Sequence, residues 1–159
     1  MGAGTEFQEG YLMSNVTLAQ ASIIVDQALA KGRELKLHPL TVVVLDAGGH
    51  LVAMKREDKS GILRTDIATG KAWGTLGMGF GGREFARRAA GGGAVFLQAL
   101  MAASGGKIVP APGGVLIRDA AGDIVGAVGI SGDTSDKDEM CCVAGIEAAG
   151  LKADTGETI

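Results

Sequence analysis

At 159 residues, 47% hydrophobic and 21% charged, the chain has the length and composition of one domain with a core of its own. A net charge of −3 without a basic stripe excludes the electrostatic footprint of a nucleic-acid binder, and no apolar run approaches the ~20 residues that cross a bilayer. Aromatic residues are only 4%, so the core must be built from Ala, Val, Ile, Leu and Met, while 27 scattered glycines imply tight turns and close backbone approaches.

Residues 1–12 are Gly-rich and patternless and read as an expression leader, with Met13 as the native start and 13–159 as a single domain. No basic segment followed by an apolar one marks a signal peptide. Cys141 and Cys142 are neighbours. On a helix they point about 100° apart and cannot form an ordinary disulfide with each other. A reducing compartment, the cytoplasm, is the expectation, or export if the N-terminus replaces a native leader.

Apolar residues at Leu18, Ala21, Val25, Ala28 and Leu29 predict an amphipathic helix from Val16 to about Leu35, with Thr17 and Gln20 spaced as a capping box. Leu37-His38-Pro39 ends it. Leu40 to Leu45 is continuously apolar and β-branched, as in a strand buried on both faces. Asp46 to His50 has turn chemistry and Leu51 to Arg56 resumes a strand, giving a hairpin. A second helix is expected from Ile62 to about Met78, with Ile67, Ala68, Ala72, Thr75 and Leu76 on one side. Two helical pieces, Arg83 to Ala90 and Val95 to Ala103, are split by Gly91-Gly92-Gly93. Lys107 to Pro112 contains two prolines and reads as an edge or a lead-in. Gly113 to Arg118 and Ile124 to Ile130 form a second hairpin around Gly122. A last helix runs from about Ser135 to Ala149, with Ser135 and Asp138 spaced as a capping-box variant and Gly150 as its stop. The tail to Ile159 is expected to be loosely ordered. Hairpins are antiparallel by construction, so the fold class is α+β: one antiparallel sheet covered by helices.

Chemistry-bearing residues gather around the second helix and the Gly126 to Glu139 stretch. Arg64 and Lys71 lie seven apart, on one helix face, with Ala68 between them. Two cations beside small residues suit a carboxylate or propionate, or else salt bridges to Asp46, Asp58 or Asp66. Gly113-Gly114 either lets a ligand reach the backbone or makes a tight strand entry. His38 and His50 are the only histidines, each in a turn or helix-end position. Imidazole is a common iron ligand, but no His, Cys and carboxylate spacing matches a zinc or calcium site. Asp133, Asp136, Asp138 and Glu139 sit where a helix N-terminus favours carboxylates, without a metal. Ser131 lacks the Gly-x-Ser-x-Gly context of a serine hydrolase.

Asp46-Ala47-Gly48-Gly49-His50-Leu51-Val52-Ala53, Lys71-Ala72, Pro112-Gly113-Gly114-Val115 and the Gly126 to Glu139 stretch together resemble the GlcG/HbpS-like family, the haem-degrading or haem-binding domain family. The resemblance spans about Leu18 to Leu151. It implies about five antiparallel strands flanked by helices in a profilin-like arrangement, and assembly into homo-oligomers from dimers to octamers. Some members bind haem and promote its degradation; others stand beside small-carboxylate metabolism. The family-matching positions are Lys71, Gly113, Gly114, Ser131, Gly132 and Thr134. Iron ligands differ among members, a threonine in some and a histidine in others.

The resulting expectation is a small oligomeric binding protein with haem or a related tetrapyrrole as its small-molecule ligand. Arg64 and Lys71 would meet propionates, Gly113 and Gly114 would admit the ring, and Thr134 or His50 would face the iron. The alternatives are an enzyme or accessory factor for a small carboxylate metabolite, with Arg64 and Lys71 as the anion clamp, or a protein whose helical surface only drives assembly.

Overall fold

The first helix, α1 (Leu18–Glu34), begins at the expected capping box. Thr17 Oγ1 accepts the Gln20 N–H at 3.1 Å, and the Gln20 side chain accepts the Thr17 N–H at 3.0 Å. A computed structural model describes residues 15–157, so the leader expected over 1–12 lies outside the described residues. Ala21, Ile24, Val25 and Ala28 form the buried stripe of α1, whereas Leu18, expected on that stripe, is exposed.

Five strands follow: β1 (Thr41–Asp46), β2 (Leu51–Arg56), β3 (Gly114–Arg118), β4 (Ile124–Ser131) and β5 (Lys152–Asp154). They form one antiparallel sheet in the order β2-β1-β4-β3-β5. Both expected hairpins are present, and β1 joins them by pairing with β4 from Thr41–Ser131 to Asp46–Gly126. The tail expected to be loose contributes β5, since Leu116, Ile117 and Arg118 offer it a free edge and Arg118 Nε bonds Asp154 at 2.8 Å. The stretch before Gly113 is a lead-in rather than an edge strand; Val109 donates to the Gly70 carbonyl at 3.1 Å.

Side chains alternate across the sheet and sort the core into two layers. Val42, Val44, Val115, Ile117, Val128 and Ile130 face α1 and α5 (Ser135–Ala148). Val43, Leu45, Leu116 and Ala127 face α2 (Arg64–Met78) through Ala68 and Ala72. Coverage on both sides explains why β1 is apolar without a break from Val42 to Leu45. The sheet is thus an open five-stranded one with helices on both faces, as the sequence reading expects.

Beyond α2, α3 (Gly82–Arg88) and α4 (Ala94–Ala103) build a small cluster around Phe85, Leu97 and Ile108. The expected break between them is a π turn over Ala89–Gly93, kinked where Gly92 takes φ +91°. Cys141 and Cys142 are free and buried in the α1–α5 layer. No described helix is long and apolar enough to cross a membrane.

Candidate functional site

A pair of glycines sets the site. Gly129 and Gly114 face each other across β4 and β3. A Cβ at Gly129 would collide with the Ala68 carbonyl, and one at Gly114 would lie 2.5 Å from the Lys71 carbonyl. The α2 backbone therefore rests directly on the sheet, and the Lys71 side chain is lowered into the interior.

Lys71 is only 4% exposed. Its Nζ donates to the Ile130 carbonyl at 3.0 Å and to Asp138 Oδ2 at 3.1 Å. Asp138, 1% exposed, also accepts the Asp133 N–H through Oδ1 at 3.0 Å. Burial pushes the Asp138 carboxyl up, against the pull of Lys71 and the Asp133 amide. Gly113, at φ +94°, completes the pocket around the ammonium: a Cβ there would stand 2.9 Å from Nζ. The space that Gly113 and Gly114 leave open is thus filled by Lys71 and α2. Cys142 closes the floor, its thiol 3.5 Å from the Gly113 carbonyl and driven up by burial.

Arg64, on the same face of α2 and one end nearer the solvent, is half-buried and donates to Ser131 Oγ at 3.1 Å. It has no carboxylate partner among the described residues. The salt bridges weighed for Lys71, to Asp46, Asp58 or Asp66, are replaced by the pair with Asp138.

The start of α5 also departs from the sequence reading. Thr134, not Ser135, is the N-cap, and its exposed side chain makes no capping bond. Asp138 turns inward to Lys71 and cannot close a capping box. Asp133 serves the turn instead, accepting from the Thr134 N–H at 2.8 Å and the His38 N–H at 3.0 Å. These bonds hold its carboxyl below the ordinary range. Asp136 and Glu139 both meet Arg83, with Glu139 at 2.7 Å. Burial pushes the Glu139 carboxyl up, opposed by Arg83.

The structure brings Arg64, Lys71, Gly113, Gly114 and the Ser131–Thr134 turn to one end of the sheet. His50 lies at the other end, in the β1–β2 turn. Five residues of β1 at ~3.4 Å each place roughly 17 Å between the two ends. The His50 side chain is 81% exposed, with Nδ1 3.4 Å from Asp46 Oδ1. Asp138 is the residue that sequence reasoning missed. Its spacing from Ser135 imitates a cap, and nothing local in the sequence reports the lysine 67 positions away that claims it. Among the described residues, no group of three or more His, Cys, Asp and Glu side chains is placed to hold a metal ion.

The family model for haem degrading, HbpS-like proteins matches residues 16–147. The chain belongs to this family. An uncharacterised 15.0 kDa protein of the dhaT–dhaS intergenic region of Citrobacter freundii is 28% identical to it over 128 residues, 80% of this chain and 87% of that protein. Among solved structures, the HbpS-like fold recurs in the PduOC:heme complex, with TM-score 0.77 and 22% identity over 90% of this chain and 99% of that one. HbpS itself aligns with TM-score 0.72 and 24% identity, over 87% and 93% of the two chains. Klebsiella pneumoniae ORFY aligns with TM-score 0.78 and 23% identity, over 89% and 95%.

Proposed function

We propose that this HbpS-like chain is a small homo-oligomeric binding protein whose ligand is haem or a related tetrapyrrole. The observation that carries the reading is the family match across 16–147, reinforced by a haem complex of the same fold over 99% of its chain. The site residues give it a physical form. Arg64 is the free cation of the pair, because Lys71 spends its charge on Asp138; a guanidinium suits a propionate in two-point geometry. The Thr134 hydroxyl, uncommitted at the α5 cap, is the candidate iron contact at the same end of the sheet. Gly113, Gly114 and Lys71 form the floor that holds this end in place. His50 would serve a ligand only at the far end. Assembly is supported by α4, an uncharged apolar helix of which only Leu97 is buried while Val95 and Phe96 are exposed.

Titration with haemin tests the reading. The Soret band should shift and saturate at a fixed stoichiometry, and affinity should fall about tenfold in Arg64→Ala, the scale of one lost charge-assisted contact. Thr134→Val should weaken binding and alter the spectrum, while His50→Ala should leave both unchanged. Unsaturable binding indifferent to Arg64 and Thr134 would reject the site, since haem adsorbs to many apolar surfaces.

The unpaired Arg64 guanidinium also favours a second reading, an enzyme or accessory factor that holds a small carboxylate metabolite. Stabilisation by small carboxylates in a thermal-shift screen, abolished in Arg64→Ala and accompanied by no specific haemin binding, would select it.

A further inference from the structure

The outer face of α2 carries a second feature. Ala68, Lys71, Ala72 and Thr75 turn toward the sheet and are buried, whereas Asp66 and Thr69 point away from it and half-buried Trp73 stands at the flank of the helix, packed against the margin of the Val43 and Leu45 layer. There, with Gly70 of the same helix and Gly105, Gly106 and Lys107 from the turn after α4, they line an open groove of about 520 Å³. That volume lies in the range of small-molecule sites.

Its walls have a definite chemistry. Trp73, the only tryptophan of the chain, gives an aromatic face, and the Lys107 ammonium stands 5.3 Å from its ring centroid. Lys107 and Asp66 line the same cavity yet do not pair, and neither forms an ion pair with another described residue. Two exposed and opposite charges, not paired with each other, therefore border a pocket with an aromatic wall. Thr69 donates its hydroxyl proton to the Thr65 carbonyl at 2.8 Å, so its oxygen is left to accept. The loop side is bare: at Gly105 and Gly106 no atom lies within 4 Å of where a Cβ would stand.

We propose that this cavity binds a small aromatic zwitterion, a molecule of the aromatic amino-acid class. Its carboxylate meets Lys107, its ammonium meets Asp66 and the Thr69 oxygen, and its ring lies along Trp73. The site is separate from the Arg64 end and does not depend on haem binding.

Trp73 is its own reporter. L-Phenylalanine, transparent at the excitation wavelength of tryptophan, should change Trp73 emission saturably. Lys107→Gln and Asp66→Asn should each weaken it about tenfold, with thermal unfolding and haemin titration unchanged, as expected for exposed side chains. 3-Phenylpropionate and phenethylamine, each lacking one charge, should bind more weakly than phenylalanine by a similar factor. A titration without a saturable change overturns the proposal. So does equal affinity for phenylalanine and either singly charged analogue, or an affinity indifferent to both substitutions.

Discussion

Lys71 and Asp138 form an ion pair 3.1 Å long, with side chains 5% and 1% exposed. It ties α2 to α5 through the end of β4, because the same ammonium holds the Ile130 carbonyl. Gly113, Gly114 and Gly129 exist in this arrangement to let the lysine in. The pair thus binds the two helices that carry Arg64 and Thr134, and the candidate site depends on it for its geometry.

Removing one partner leaves the other charged and buried. Lys71→Met or Asp138→Leu alone should destabilise the protein by about 3–5 kcal/mol, whereas the double substitution should recover most of the loss. Urea unfolding of the two single variants and the double variant measures this. Additive losses in the double variant would show that the charges do not depend on each other.

Close packing of α2 makes a second prediction. Gly129→Ala must push Ala68 and α2 off the sheet and should cost roughly 1–3 kcal/mol or more. Gly77, exposed on the same helix with no atom within 4 Å of a Cβ, should behave oppositely. Gly77→Ala should stabilise by about 0.4–1 kcal/mol. Paired thermal unfolding curves of the two variants check the contrast.

Much of this was legible in the sequence, and the reason is local. The Thr17–Gln20 box, the β-branched run of β1 and the glycine turns at Gly49 and Gly122 each fix an element through neighbours a few residues away. The Lys71–Asp138 pair and the β5 edge depend on partners 67 and about 36 positions distant, and no local pattern encodes them. The Ser135–Asp138 spacing misled for the same reason: a short-range motif was overruled by a long-range charge. Lys71 and Arg64 looked equivalent on a helical wheel, and only the sheet beneath them separates a buried, paired cation from one left free.

The pH dependence of stability carries the signature of Glu139. Its carboxyl is raised above the ordinary 4.5 chiefly by burial, so the folded state holds the proton more tightly than the unfolded chain. The stability this adds is complete below the unfolded value and is lost as pH rises through the folded one. Glu139→Gln, neutral throughout, should therefore gain on the wild type between pH 4 and pH 7. Urea midpoints at the two pH values measure it; a gain for the wild type instead would mean that Arg83 outweighs burial.

The cysteines should be silent while the protein is folded. Burial raises the Cys141 thiol to about 11 and pushes the Cys142 thiol well up, so the thiolate fraction at pH 8 is small and sterically shielded. A thiol reagent should titrate neither cysteine in the native protein and both in denaturant. Prompt native reactivity would show that the α1–α5 layer opens readily.

The central claim, that haem binds at the Arg64 and Thr134 end of the sheet, is tested most directly by a crystal structure of the protein saturated with haemin. It should place a propionate on the Arg64 guanidinium and the iron facing the Thr134 hydroxyl. Haem seated at the His50 turn, or spread over α4 with Arg64 and Thr134 untouched, would contradict it.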